Sequence, residues 1–173
     1  WGDGVVSVSP DPGRAKMARK FGELLEGELA ILNKTRPTHD VATVTEVIGR
    51  VKGKVAIMSD DMIVTGGTLL AGALALREAG AIEVYACATH GLFPDGTLKH
   101  IADSEIEQVV VTDTVPISPL ERPTKLQVLT VSRILAMPGA DVPSPARLGL
   151  LDAGGGVAWW QGDMPRADHM YEL

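Results

Sequence analysis

Short apolar runs recur along the chain, and polar or glycine-containing stretches separate them. Each run has a length and boundaries typical of a buried or half-buried strand. The runs predict extended segments at residues 5–8, 29–32, 44–48, 55–58, 84–89, 108–112 and 126–131.

Helical periodicity lies between several of these segments. Asp11 followed by Pro12 is typical of a helix start, as N-cap and first helical residue, and this helix is predicted to end near residue 26. A second helix is predicted after residue 68, and a short one at residues 98–102. Strands alternating with helices predict an α/β fold with a doubly wound, mostly parallel sheet of about five strands and flanking helices.

The pattern loses its regularity near the end of the sequence. A helix is predicted to begin at Ser132, but Pro138 and Gly139 cut it short, and no clear period follows. We therefore predict one domain, residues 1–136, followed by an irregular tail, residues 137–173.

Composition narrows the class of protein. The 173 residues are 45% hydrophobic and 22% charged, which suits a soluble domain with a hydrophobic core. The net charge of −6 and the lack of a basic run argue against binding to nucleic acid or to a membrane surface. No apolar stretch is long enough to span a bilayer, and no signal peptide is visible. The single cysteine, Cys87, is interpreted as a small buried residue in a reducing, cytoplasmic compartment.

The most informative stretch is a Thr-Gly-Gly-Thr turn that follows the segment 55–58. Gly66 and Gly67 allow the backbone to approach a ligand closely, and Thr65 and Thr68 supply hydroxyls. The free N–H groups at the start of the next helix add the positive end of the helix dipole. This combination predicts a binding site for a phosphate group.

Two adjacent carboxylates, Asp60 and Asp61, precede the turn. Their charge would repel a phosphate, so they are predicted to accept hydrogen bonds from sugar hydroxyls or to help hold a cation. Together with the turn they predict a pentose 5-phosphate site at the carboxyl end of a strand. The alternative is an ordinary turn in which one of the two aspartates caps a helix.

The stretch from Asp60 to Thr68 resembles the ribose-phosphate-binding loop of type I phosphoribosyltransferases and of ribose-phosphate pyrophosphokinases. Four further segments favour the pyrophosphokinases. They are Ser-Pro-Asp at residues 9–11, Asn-Lys-Thr-Arg-Pro at 33–37, Ala-Thr-His-Gly at 88–91 and Val-Val-Val-Thr-Asp-Thr-Val-Pro at 109–116. Their order and spacing resemble the carboxyl-terminal half of that family from about residue 5 to residue 136.

The resemblance implies a type I phosphoribosyltransferase fold and the transfer of a diphosphoryl group from ATP to the C1 hydroxyl of ribose 5-phosphate. The products are phosphoribosyl pyrophosphate and AMP, and the cofactor is Mg²⁺. The resemblance also gives Asp11 a place near the magnesium ion and the sugar phosphate, which is compatible with its role as a helix cap.

The polar stretch after the segment 29–32 is predicted to be a solvated, mobile loop. Within it, Arg36 is suited to grip phosphate oxygens with two hydrogen bonds, and Lys34 supplies a point charge. In the family that this stretch resembles, the lysine and arginine at these positions are catalytic. His90, in contrast, is interpreted as a loop histidine satisfied by backbone groups, and it is not included among the candidate site residues.

Two features depart from the family pattern. Val64 lies where the family has an aspartate before the turn. The amino-terminal half, which supplies most of the ATP-binding residues in the family, has no counterpart in this sequence. We therefore expect the chain alone to bind a pentose phosphate weakly, to be inactive or nearly so, and to form a homo-oligomer through its unpaired surface.

Two other functions remain open. A salvage phosphoribosyltransferase would use the same turn to hold phosphoribosyl pyrophosphate, but it needs a hood over the nucleobase, and no clear hood segment is visible. A non-catalytic phosphoribosyl-binding or regulatory subunit is suggested by Val64 and by the missing half. Activity towards a panel of bases, and the effect of Val64→Asp, separate these alternatives.

Overall fold

The computed structural model describes residues 4–38, 41–94 and 96–132, with the backbone alone at residues 34–38 and 41–45. The strands are β1 (Val5–Ser9), β2 (Glu28–Thr38), β3 (Val41–Ile48), β4 (Val55–Ile63), β5 (Glu83–Gly91), β6 (Gln108–Thr112) and β7 (Leu126–Leu129). The helices are α1 (Ala15–Leu24), α2 (Gly67–Glu78) and α3 (Thr97–Ala102), with 3-10 turns at Pro12–Arg14 and Pro119–Glu121.

The strands form one sheet in the order β3-β2-β1-β4-β5-β6-β7. Neighbouring strands are parallel except β2 and β3, which pair antiparallel. The strand order reverses direction at β1, so the chain winds outwards to both sides of this strand. The predicted α/β fold class, with a mostly parallel sheet and flanking helices, is confirmed.

Helices cover both faces of the sheet. On one face, Phe21 and Leu25, from α1 and the turn after it, bury the side chain of Val5. On the other face, Ala73 and Leu76 of α2 join a larger core. Since successive side chains of a strand point to opposite faces, β1 and β4 contribute apolar side chains to the core on both sides of the sheet, as expected for central parallel strands.

Helix α2 lies very close to the sheet at Gly72. A β-carbon at this position would lie 2.7 Å from Cδ1 of Leu32 and 2.9 Å from Sδ of Met58. A larger residue at this position would therefore force the ends of Leu32 and Met58 to move, and glycine allows the close approach without repacking.

Two sequence predictions about the strands need correction. The sheet has seven strands among the described residues rather than about five, because β3 and β7 join it as edge strands. The stretch predicted to be a loop after residue 32 is instead the outer arm of a hairpin, in which Lys34 pairs with Val44 and Thr38 with Val41. Residues 33–38 are mostly polar and show no apolar alternation, so the sequence pattern did not predict a strand there.

Strand β4 is also longer than predicted. It continues through Asp60, which pairs with Ala88, to Ile63, which pairs with Gly91. Asp60 and Asp61 are therefore in the last residues of a strand and not in a loop. Backbone pairing with β5 consequently fixes the direction in which their carboxylates project.

The predicted irregular tail, residues 137–173, lies outside the described residues. Ser132 is helical, and the continuation of the helix predicted from it is likewise outside the described part. Within residues 4–38, 41–94 and 96–132, no helix has the length and apolar character needed to cross a bilayer.

Candidate functional site

The chain turns sharply between β4 and α2. Gly66 has a φ of +72°, in the left-handed region that favours glycine, and α2 begins at Gly67 without a side-chain cap. The N–H of Leu70 donates to the carbonyl oxygen of Gly66 at 2.8 Å. The N–H groups of residues 67–69 therefore have no partner within the helix and are available to an anion.

The turn borders a hollow of about 160 Å³. Five of the six residues predicted to bind the sugar phosphate line it, and Asp61 lies beside it. Its lining residues are Pro10, Met58, Ser59, Asp60, Met62, Ile63, Val64, Thr65, Gly66, Gly67, Thr68 and Leu69. The glycines predicted to approach a ligand therefore border a space at the carboxyl edge of the sheet.

Arg14 holds the two carboxylates, and sequence analysis did not identify it. Its Nε lies 3.0 Å from Oδ1 of Asp60, and its Nη2 lies 2.8 Å from Oδ2 of Asp61. Asp60 Oδ1 also accepts a hydrogen bond of 2.8 Å from the backbone N–H of Asp61. Because α2 has no side-chain cap, the alternative in which one of these aspartates caps that helix is wrong.

The electrostatic environment differs between the two carboxylates. Burial raises the pKa of Asp60 to about 6, and the hydrogen bond with Asp61 adds to the rise, while Arg14 partly offsets it. Burial opposes ionisation of Asp61 too, but hydrogen bonds with Asp60 and Arg14 hold the pKa of Asp61 below its usual value. At neutral pH the cluster of Arg14, Asp60 and Asp61 consequently carries a net charge near −1.

Two buried oxygen atoms in this region have no hydrogen-bond partner within the described part of the chain. They are Oγ of Ser59 and Oδ1 of Asp61. Buried polar atoms are nearly always paired, so the two atoms indicate a place for a water molecule or a ligand group. Ser59 lines the hollow and was not predicted from the sequence.

Asp11 caps the first turn after β1, as predicted. Its Oδ1 accepts a hydrogen bond of 3.1 Å from the backbone N–H of Arg14. Asp11 therefore positions the start of the segment that carries Arg14 towards the acidic pair. Among the described residues, no group of three His, Cys, Asp or Glu side chains is arranged to hold a metal ion.

Lys34 and Arg36 lie on β2, and the structure does not describe their side chains. Strand β2 is the neighbour of β1, which in turn pairs with β4. The predicted catalytic residues are therefore on the strand next to β1, and Asp11 follows β1 in the chain. Their catalytic role stays a prediction.

Two other residues have a position that bears on the sequence analysis. Val64 is 42% exposed and lines the hollow, so an apolar group borders this space at the position where the resemblance implies an aspartate. The interpretation of His90 needs correction. It is in β5, and its Nδ1 lies 2.8 Å from the side-chain hydroxyl of Thr114, not against a backbone group.

Cys87 was expected to be buried, and the structure shows it partly buried. It is a free cysteine on β5 that packs against the cluster beneath α1, and desolvation raises the pKa of its thiol to about 12. A thiol with such a pKa is neutral and poorly nucleophilic at physiological pH.

The fold and the site together define a doubly wound α/β protein with a glycine turn and an acidic pair at one sheet edge. Residues 37–139 match the model of the phosphoribosyl synthetase-associated domain. This match covers more than half of the chain, and the chain belongs to that family.

Relatives support the same family. The chain is 47% identical over 135 residues to a ribose-phosphate pyrophosphokinase of Caldanaerobacter subterraneus subsp. tengcongensis, covering 78% of this chain and 43% of the relative. It is 48% identical over 132 residues to one of Nostoc sp., covering 76% of this chain and 40% of the relative. The crystal structure of phosphoribosylpyrophosphate synthetase from Mycobacterium smegmatis matches with a TM-score of 0.69 and 40% identity, over 78% of this chain and 43% of that chain. The chain thus spans less than half the length of these relatives.

Proposed function

We propose that this chain binds ribose 5-phosphate and provides the acceptor side of a ribose-phosphate diphosphokinase. The observation that carries the proposal is the hollow in which the turn residues Gly66 and Gly67 lie beside Asp60. A phosphate group needs donors with a positive potential, whereas sugar hydroxyls need acceptors, and this edge of the sheet offers both.

The 5-phosphate binds at the start of α2. The N–H groups of residues 67–69 have no hydrogen-bond partner within the helix. Thr65 and Thr68, which carry hydroxyls, border the same hollow. Hydrogen bonds to an ionised phosphate are about twice as strong as neutral ones, so this contact supplies most of the affinity.

The acidic pair orients the sugar ring. Asp60 borders the hollow, and Arg14 fixes both carboxylates through its two nitrogen contacts. Arg14 engages Oδ1 of Asp60, so in this proposal Oδ2 of Asp60 accepts from a ring hydroxyl. Oδ1 of Asp61 is buried, and Asp61 acts by helping to hold Arg14 beside Asp60. The positive charge of Arg14 also reduces repulsion between the carboxylates and the phosphate dianion.

The reaction is the attack of the C1 hydroxyl on the β-phosphorus of ATP, which gives phosphoribosyl pyrophosphate and AMP. In this proposal Lys34 and Arg36 contact the transferring phosphates and stabilise the charge that develops there. Asp11 is the carboxylate that would hold Mg²⁺, whose chemistry is to neutralise charge on the ATP phosphates. The protein's own task is alignment of the acceptor hydroxyl with the donor.

This chain covers only 40–43% of the length of the relatives that it matches, so the complete activity is a proposal about the larger protein. We expect the chain alone to bind ribose 5-phosphate and phosphoribosyl pyrophosphate in calorimetric titrations but to release little or no AMP in a coupled assay. Robust AMP release from ATP and ribose 5-phosphate would overturn the expected inactivity. Absence of binding to either sugar phosphate would overturn the proposed function.

A non-catalytic phosphoribosyl-binding subunit is the second candidate, and Val64 favours it. A valine that faces the hollow cannot accept a hydrogen bond from the sugar, which suits binding without turnover. The discriminating experiment adds the chain to an intact synthetase. A regulatory subunit would co-purify with the synthetase and change its activity, and Val64→Asp would give the chain no activity of its own.

A further inference from the structure

A chain of three short hydrogen bonds connects His90 to the interior of the sheet. Nδ1 of His90 lies 2.8 Å from Oγ1 of Thr114, which lies 2.9 Å from Oγ1 of Thr112. Thr112 Oγ1 in turn donates to the backbone carbonyl of Thr89 at 2.7 Å. Thr89 and Thr112 are 97% buried, while Thr114 and His90 are partly buried.

Counting hydrogen atoms fixes the direction of this chain. The carbonyl of Thr89 can only accept, so the 2.7 Å contact requires the proton of Thr112. The 2.9 Å contact between the two hydroxyls then requires the proton of Thr114. No hydroxyl proton is left for the 2.8 Å contact with His90, so Nδ1 must itself be the donor.

Other assignments leave a short contact without a proton. If Thr114 donated to Nδ1 of His90, the two threonine oxygens would face each other at 2.9 Å with no hydrogen between them. If Thr114 donated instead to the carbonyl of Thr89, at 3.2 Å, the same contact would be unprotonated. One proton in each of the three shortest contacts is obtained only with Nδ1 protonated.

The second ring nitrogen, Nε2, has no hydrogen-bond partner within the described residues. With the proton on Nδ1, Nε2 of the neutral ring carries a lone pair. His90 pairs with Met62 in the register between β4 and β5, and Met62 lines the hollow. Paired residues of adjacent strands lie about 5 Å apart and project from the same face. His90 is not itself a lining residue of the hollow, but it neighbours the lining residue Met62 at the same edge of the sheet.

We propose that Thr112 and Thr114 are positioning residues that hold neutral His90 in the Nδ1–H tautomer, so that Nε2 accepts a hydrogen bond from a hydroxyl of the ligand in the hollow. The proton on Nδ1 follows from the hydrogen-bond geometry alone. The ligand contact rests on the proposed function, since it takes the ligand to be a pentose phosphate. In this role His90 supplements the acidic pair by accepting from a further ring hydroxyl, without adding negative charge.

The tautomer is tested by long-range ¹H–¹⁵N spectra of the protein with ¹⁵N-labelled histidine at pH 8.5, where an ordinary histidine is neutral. The expected spectrum shows a protonated, pyrrole-type Nδ1 and an unprotonated, pyridine-type Nε2 for His90. Thr114→Val has nearly the same shape but no acceptor oxygen, and it is expected to shift the proton to Nε2. Thr114→Ser keeps the oxygen and is expected to keep the native tautomer. An Nε2–H tautomer in the unchanged protein, or no shift in Thr114→Val, would overturn the assignment.

The ligand contact is tested in the same spectra by titration with ribose 5-phosphate and, separately, with inorganic phosphate. Ribose 5-phosphate is expected to move the Nε2 resonance of His90, while inorganic phosphate moves only backbone resonances of the turn at Gly66 and Gly67. Thr114→Val is expected to weaken ribose 5-phosphate binding about three- to tenfold, and Thr114→Ser to restore it. If Gly66 and Gly67 respond but Nε2 does not, the ligand contact is wrong. If neither the turn resonances nor Nε2 respond to ribose 5-phosphate, both the proposed function and the ligand contact are wrong. The tautomer assignment is tested separately by the histidine spectrum without ligand.

Discussion

Arg14 Nε lies 3.0 Å from Oδ1 of Asp60, at the point where the segment after β1 meets the end of β4. The second contact of Arg14, with Asp61, makes this guanidinium the shared partner of both predicted sugar-binding carboxylates. Asp11 in turn fixes the backbone of Arg14. Asp11, the predicted metal ligand, therefore positions Arg14, and Arg14 in turn holds the two carboxylates predicted to bind the sugar.

Arg14→Ala is expected to weaken binding of ribose 5-phosphate about three- to tenfold, because two uncompensated carboxylates would then repel the phosphate. The arginine side chain is 37% exposed, so solvent screens the pair and the expected loss of unfolding free energy is about 1 kcal/mol. Calorimetry and urea denaturation measure the two effects.

Arg14→Lys is the matched control for this variant. Lysine keeps the positive charge but cannot reach both carboxylates with a planar pair of donors, so its binding constant should lie between those of the native protein and Arg14→Ala. Tighter binding in Arg14→Ala would show that Arg14 competes with the ligand instead of positioning the acids.

The two glycines of the turn give a paired test. Gly66→Ala forces alanine into the left-handed region at φ +72° and is expected to cost about 1–2 kcal/mol of stability. A β-carbon on Gly67 would meet only Oγ1 of Thr65, at 3.8 Å, so Gly67→Ala should change stability by less than about 0.5 kcal/mol.

For Gly67→Ala we nevertheless expect clearly weaker binding of inorganic phosphate, because the added methyl group would occupy space beside the N–H groups of the helix start. Thermal denaturation and phosphate titration measure the two properties separately. Unchanged phosphate affinity in Gly67→Ala would argue against an anion site at this turn.

The raised pKa of Asp60 predicts a pH dependence. The folded protein protonates Asp60 below about pH 6, and a protonated carboxyl is a poorer acceptor for sugar hydroxyls. Binding of ribose 5-phosphate should therefore weaken about tenfold between pH 7 and pH 5. By linkage, the contribution of Asp60 to stability is largest below pH 4 and is lost as the pH rises through about 6.

The phosphate of the ligand also titrates near pH 6, so Asp60→Asn is the necessary control. In this variant, the pH dependence of binding that comes from the ligand's phosphate remains, and the part that comes from Asp60 is lost. Identical pH profiles in the native protein and in Asp60→Asn would refute a role for the ionised Asp60 carboxylate in binding.

Val64→Asp is expected to increase the affinity for ribose 5-phosphate several-fold, since the exposed side chain lines the hollow and gains acceptor oxygens. An exposed substitution of this kind should alter stability by less than about 0.5 kcal/mol. Val64→Asn separates hydrogen bonding from charge. A loss of affinity in Val64→Asp alone would mean that a third carboxylate repels the phosphate more than it binds the sugar.

Sequence patterns predicted the elements around the turn well, because their signals are local. The glycines that permit the turn, the apolar strand before it and the helical spacing after it all lie within about twenty residues of each other. The outer arm of β2 and β3 was missed because residues 33–38 are mostly polar and show no apolar alternation. Lys34 and Arg36 therefore give no strand signal in the sequence.

Contacts between distant segments could not be predicted from single residues. Arg14 meets Asp60 only because β1 and β4 are neighbours in the sheet, and His90 meets Thr114 only because β5 and β6 are neighbours. An arginine near a helix start is usually exposed, and two threonines after an apolar run suggest nothing beyond a strand end. Sheet order, which the local pattern does not specify, decides which of these side chains meet.

The most direct measurement is a backbone ¹H–¹⁵N titration of the protein with ribose 5-phosphate, with ribose and inorganic phosphate as separate controls. We expect phosphate alone to shift the N–H resonances of Gly66, Gly67 and Thr68, and ribose 5-phosphate to shift these together with Asp60 and Asp61. Ribose alone should bind too weakly to shift any of them. Saturating ribose 5-phosphate that leaves the turn and the acidic pair unchanged would contradict a pentose phosphate site at this edge of the sheet.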